Sequence, residues 1–129
     1  MTTFVTGSRG YLGSRIFDVV DGYRYDRDKD LLTELNSCSP SVIVHCGAEL
    51  HDESKMFDSN VMMTWKILEY CKDHGTRLIY IGSSSEYGKT DELMRENSRI
   101  NPSSIYAATK GCAHYWHNLI RECMGLIVP

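Results

Sequence analysis

Eight residues near the start of the chain, Thr6-Gly7-Ser8-Arg9-Gly10-Tyr11-Leu12-Gly13, space their glycines as GxxGxxG. A short apolar stretch, Thr3-Phe4-Val5, precedes them, and a helical pattern carrying Ile16, Phe17, Val19 and Val20 follows. Strand, glycine turn and helix in this order admit few folds. Gly7 permits the tight turn, Gly10 lets a pyrophosphate approach the backbone, and Gly13 lets the helix pack close to the strand. Unpaired N–H groups and the helix dipole at such an N-terminus favour an anion. Taken alone, the motif fits a bare glycine-rich turn as well as a nucleotide site.

The rest of the chain alternates in the same way. Strands are expected near 2–6, 22–26, 41–46, 77–82 and 125–128, and helices near 11–20, 28–37, 54–74 and 103–122. The continuous apolar run Val42-Ile43-Val44 suits a strand buried on both faces. Gly22 and Gly75 are expected to stop the helices before them, Pro40 follows a third, and Ser103 or Ser104 is placed to cap the last. Alternating strands and helices imply a doubly wound, mainly parallel α/β sheet, a Rossmann-like fold. A chain of 129 residues has room for one such domain, over 1–129.

A second constellation lies near the other end. Tyr106 and Lys110 stand four apart on a helix and share one face. A Lys ammonium near a phenol stabilises the phenolate, which makes a proton shuttle usable near neutral pH. The triplet Ser83-Ser84-Ser85 offers hydroxyls that could hold the oxygen such a Tyr serves.

Composition narrows the class of partner. A net charge of −3 gives no electrostatic footprint for nucleic acid. No stretch approaches the length of an apolar membrane span, and the early first strand leaves no room for a signal peptide. Five cysteines, at 38, 46, 71, 112 and 123, form no CxxC pair, which suits reduced thiols in the cytoplasm. Cys112, His114 and His117 lie close on a helix but lack a further ligand at evident spacing, so no metal is expected.

Several segments, in order, resemble the extended short-chain dehydrogenases/reductases of the NAD-dependent epimerase/dehydratase family, which act on nucleotide sugars. Thr6 to Gly13 resembles that family's TGxxGxxG. Val42 to Ala48 resembles its strand ending in HxAA, and Asn60-Val61-Met62-Met63-Thr64 its NVxGT. Leu78 to Gly88 resembles a strand ending in a Ser/Thr cluster before Tyr-Gly. Asn101 to Lys110 resembles NPxSxYxxxK.

The resemblance implies roles residue by residue. Tyr106 is the general acid/base, and Lys110 favours its phenolate and binds the nicotinamide ribose. Ser83 is the first choice for the substrate hydrogen bond and Ser84 the second. Cofactor contacts are implied from Gly7, Arg9, Gly10, Tyr11, Leu12 and Gly13, from Asp26 and Arg27, from Cys46, Gly47 and Ala48, and from Tyr106 and Lys110. His45 and Asn60 are implied to be structural, Asn60 tying helix to sheet by hydrogen bonds. The implied substrate is a nucleotide sugar, and the helices over 54–74 and 103–122 are implied to pair two copies as a homodimer.

Two departures bear on function. Only 27 residues separate Gly13 from Ser41, where the family usually fits a further strand. Asp26 then has two readings, the acid on the adenosine ribose or the family's later Asp beside adenine. Arg9 and Arg27 stand where a 2′-phosphate would be met, or are solvated charges. The implied cofactor is NAD or NADP, with NAD favoured. The chain also ends at Gly125-Leu126-Ile127-Val128-Pro129, where the family's next strand begins, so the implied object is a cofactor-binding half without its substrate domain. That half is either an enzyme fragment or a silent relative that binds dinucleotide or dimerises. Sugar 4,6-dehydratases tend to carry Asp-Glu directly after the catalytic Thr. Here Ser84 and Ser85 follow Ser83 and Glu86 comes one place late, which favours an epimerase or keto-reductase.

Overall fold

A computed structural model describes residues 2–123. By contacts the chain forms two compact units, one of residues up to Ala48 with Lys66–Ile81, the other of Glu49–Trp65 with Gly82 onward. The expected strand near 125–128 lies outside the described residues.

The first unit holds a four-stranded parallel sheet of β1 (Thr3–Thr6), β2 (Tyr23–Arg24), β3 (Val42–His45) and β4 (Arg77–Tyr80), in the order β2-β1-β3-β4. Phe4 pairs with Ile43, Val5 with Val44 and Thr6 with His45 across the two central strands. Both strands are buried almost throughout, as their apolar runs require. Helices α1 (Tyr11–Val20) and α2 (Leu31–Cys38) connect the first three strands. The core gathers Phe4, Val5, Leu35, Ile43, Ile67 and Leu68, all nearly inaccessible. The chain runs from β1 to β2 on one side and returns to β3 on the other. The order therefore reverses between β1 and β3, the switch point where doubly wound sheets bind ligands at their carboxyl ends. One strand, only two residues long, lies outside β1, as the short interval between Gly13 and Ser41 allows.

The glycine expected to stop α1 has a different task. The left-handed residue there is Asp21, at φ 44°. Gly22 is required because a Cβ would run into the Thr3 carbonyl. Gly75, at φ +67°, does turn the chain after its helix.

Cys71, 3 % exposed in this core, has its thiol pushed up to about 12 by burial. In the native chain at pH 8 it is expected to resist iodoacetamide, and mass spectrometry after a quench reads this directly. The sign for stability follows. A thiol raised in the folded state keeps its full contribution below its ordinary value of 9.0 and loses it as pH climbs toward 12.

In the second unit the single helix expected over 54–74 is interrupted. α3 (Glu53–Met56) passes into a π-helical segment, Phe57–Met62, and then into α4 (Met63–His74), whose last nine residues belong to the first unit. The Met63 N–H reaches back five residues to the Asp58 carbonyl. A widened turn displaces regular i+4 bonds, and here Thr64 Oγ1 donates to the Asn60 carbonyl at 2.8 Å. A short 3₁₀ turn, Ser84–Tyr87, and the long α5 (Ile105–Cys123) complete this unit. Trp65 and Trp116 meet edge to face within it, ring centres 4.9 Å apart. Among the described residues no helix is long and apolar enough to cross a membrane.

Candidate functional site

In the first unit the glycine loop joins β1 to α1. Gly7 sits at φ +66°, and a Cβ on it would stand 2.6 Å from the Gly47 backbone nitrogen. Only glycine brings the two strand ends this close. A Cβ on Gly13 would overlap the Gly7 carbonyl. Gly10 begins α1, and its N–H donates to the Gly7 carbonyl at 2.9 Å. No side chain caps this helix and no acid lies in its first turn, so its N-terminal dipole is unspent. Thr6 Oγ1 accepts the Gly47 N–H at 3.2 Å and lies 2.6 Å from His45 Nδ1, tying the ends of β1 and β3 together. Ser8 Oγ is buried with no hydrogen-bond partner among the described residues.

The outer residues of the loop differ in exposure. Tyr11 is almost fully exposed, with the Arg15 guanidinium 4.6 Å from its ring centre, and Leu12 is exposed as well. Cys46, Gly47 and Ala48 are half-buried after β3. Asp26 follows β2 and accepts from Arg9 Nη2 at 2.6 Å, while Arg27 is exposed. The bare helix start, the glycine cradle and the buried Ser8 hydroxyl fit a dinucleotide diphosphate. Asp26 has the chemistry for ribose hydroxyls, with the Arg9 guanidinium already on it.

In the second unit, Tyr106 and Lys110 lie one turn apart near the start of α5. Ser104 Oγ accepts the Ala107 N–H at 3.1 Å, so Ser104 is the cap of the two serines proposed for it. Tyr106 is half-buried and Lys110 only 4 % exposed. Thr109 Oγ1 donates to the Tyr106 carbonyl at 2.8 Å and accepts from Asn60 Nδ2 at 3.1 Å. The Asn60 amide also accepts the Glu49 N–H at 2.7 Å and donates to the Glu49 carbonyl at 2.9 Å. Its described side-chain bonds thus join the loop at Glu49 to α5 rather than helix to sheet, because the π turn aims its amide at Thr109.

Glu49 holds that loop with its carboxylate. Hydrogen bonds from the backbone N–H groups of His51, Asp52 and Leu50 keep its carboxyl below the ordinary value of 4.5. A carboxyl lowered in the folded state gives stability that is full above its ordinary value and is lost as pH falls. Below about pH 4, the protection of the His51 and Asp52 amides, taken relative to their intrinsic exchange rates, is therefore expected to fall, and Glu49→Gln is expected to remove that fall.

Ser83 caps the 3₁₀ turn. Its Oγ accepts the Ser85 N–H at 3.3 Å and lies 2.7 Å from Ser85 Oγ, while Ser84 is exposed. Glu86 completes a reciprocal capping box by accepting the Ser83 N–H at 2.8 Å. The spacing Ser-x-x-Glu is itself the sequence signature of that box. The same carboxylate meets His114 Nδ1 at 2.9 Å, a pairing across 28 residues that no local pattern signals. Among the described residues no cluster of His, Cys, Asp and Glu could hold a metal ion.

Residues 3–127 match the model of the NAD dependent epimerase/dehydratase family. The dTDP-glucose 4,6-dehydratase of Mycobacterium tuberculosis (strain CDC 1551 / Oshkosh) is 35 % identical over 119 residues, covering 80 % of this chain and 36 % of that protein. The UDP-glucuronic acid 4-epimerase of Bacillus cereus, solved with NAD, superposes with a TM-score of 0.81 at 20 % identity, over 97 % of this chain and 54 % of that one. The UDP-glucose 4-epimerase of Thermus thermophilus, also solved with NAD, gives 0.79 at 18 % identity, over 98 % and 52 %. The chain thus spans about a third of its sequence relative and about half of these structural neighbours. With the family model matched over nearly its whole length, this chain belongs to the NAD dependent epimerase/dehydratase family.

Proposed function

We propose that the chain is the cofactor-binding half of an NAD-dependent nucleotide-sugar 4-epimerase or keto-reductase. One observation carries the choice over a dehydratase. Elimination of water needs an additional acid and base beside the sugar, and Glu86, the carboxylate of the Ser83 turn, is consumed internally by the Ser83 N–H and His114. The glycine loop and the start of α1 take the diphosphate, and Asp26 takes a ribose diol or, with Arg9 and Arg27, borders a 2′-phosphate. NAD is favoured, since the structural neighbours described above were solved with it. The bound nicotinamide supplies the hydride acceptor and donor. Ser83 Oγ holds the sugar oxygen, Tyr106 takes its proton as the carbon is oxidised and returns it on reduction, and Lys110 stabilises the phenolate.

The test is product analysis by NMR after incubation of UDP- or dTDP-hexoses with NAD, and of their 4-keto derivatives with NADH. An inverted hexose or a reduced 4-keto sugar is expected. A 4-keto-6-deoxy sugar would overturn the reading in favour of a dehydratase. A second reading, a non-catalytic dinucleotide-binding module that pairs with its own copy, is favoured by exposed apolar side chains in the second unit. Phe57, Met62, Tyr115 and Leu119 are between about a third and two-thirds exposed.

A further inference from the structure

The Ser83 turn contains an acid with no part in the chemistry proposed above. Glu86 is 1 % exposed. Its Oε1 accepts the Ser83 N–H, its Oε2 lies against His114 Nδ1, and its carbonyl accepts the Asn101 N–H at 2.9 Å. Gly82 borders the carboxylate, for a Cβ there would stand 3.0 Å from Oε1. A capping box needs only the bond to the N-cap N–H and works at a solvated surface. Burying the acid costs free energy unless every lone pair finds a donor, and a partner 28 residues away is more than a cap requires. His114 lies one helical turn beyond Lys110 and two beyond Tyr106, so the three share a stripe of α5. One carboxylate thereby fastens the turn that carries Ser83 to the helix that carries Tyr106 and Lys110.

We propose that Glu86 and His114 are a positioning pair that holds the Ser83 hydroxyl in register with Tyr106 and Lys110. The proposal rests on the reading of Ser83 as the residue that binds the sugar oxygen. Its chemical logic is that a misplacement of about 1 Å in a substrate-positioning group can cost about 100-fold in rate. The turn spans only four residues and cannot fix its own place. The pair also accounts for His114 without a metal.

The test is amide hydrogen exchange on the 129-residue chain, read by NMR. His114→Leu removes Nδ1 and strands the carboxylate. Exchange at Ser83 is expected to accelerate about ten- to hundred-fold, with Val5 and Val44 in the sheet unchanged. Glu86→Gln keeps the shape and the acceptor for the Ser83 N–H, and is expected to retain most of the protection. Unchanged exchange at Ser83 in His114→Leu would overturn the proposal. So would equal acceleration in the sheet, which would make the pair a general stabiliser.

If His114→Leu does not fold, the unaltered chain decides through scalar couplings across the hydrogen bonds. A coupling from the Glu86 carboxylate to both Ser83 N and His114 Nδ1 supports the pair, and absence of either overturns it. In turnover, His114→Leu is expected to lower kcat about ten-fold or more with the Kd for NADH unaltered. Failure of the unaltered chain to bind NADH would tell against the proposed function, while the exchange result would still decide the pair.

Discussion

Tyr106→Phe is expected to lower turnover of a nucleotide sugar by about 10²- to 10⁴-fold, with a far smaller loss of NADH affinity, about ten-fold at most. The substitution removes one oxygen and leaves the ring in its half-buried place on α5. Two neighbouring groups of the second unit are already engaged. Ser83 Oγ is engaged with Ser85, and the carboxylate of Glu86 is held by Ser83 and His114. Stopped-flow absorbance at the reduced nicotinamide band, beside a calorimetric Kd, separates the two quantities. A loss of turnover matched by an equal loss of NADH binding would make Tyr106 a binding residue and not a proton carrier.

The second large effect is on stability. Gly13→Ala is expected to destabilise the chain by about 3 kcal/mol and to lower Tm by about 10 °C. The new Cβ would collide with the Gly7 carbonyl oxygen, and the Gly7 backbone lies between that collision and the Gly47 main chain, where a Cβ on Gly7 itself would not fit. Overpacking against main chain on both sides has no side chain to absorb it. Gly10→Ala is the matched control. Its Cβ would stand 3.2 Å from the same carbonyl, tight but without the overlap met at Gly13, so a much smaller loss is expected. Thermal melts of the two variants together measure the difference, and equal melts would show that the loop is looser than described.

The sequence made the first unit readable because its signals are local. An apolar strand, glycines at fixed spacing and an amphipathic helix lie within one short stretch, and β1 and α1 form where that pattern puts them. Gly22 shows the limit of such reading. A glycine after a helix suggests a left-handed stop, yet the close neighbour is the Thr3 carbonyl, which only the assembled sheet brings there. The π turn was hidden for a related reason. One widened turn leaves no mark in residue types, so the stretch 54–74 still reads as a single helix. The redirected Asn60 amide becomes visible only through Thr109, 49 residues on. Glu86 was legible only as an acid standing one place late for a dehydratase. Its capture by His114 depends on how α5 packs against the 3₁₀ turn within the second unit, a non-local contact that residue types do not encode.

The decisive experiment is calorimetric titration of the purified 129-residue chain with NADH and with NADPH, paired with nicotinamide fluorescence. Gly10→Asp serves as the comparison, since an aspartate suits a helix N-cap yet sets a negative charge where the diphosphate would lie. Saturable micromolar binding of NADH, weaker binding of NADPH and loss of both in Gly10→Asp is the predicted result. No heat and no fluorescence change with either dinucleotide up to millimolar concentration would contradict a working cofactor half.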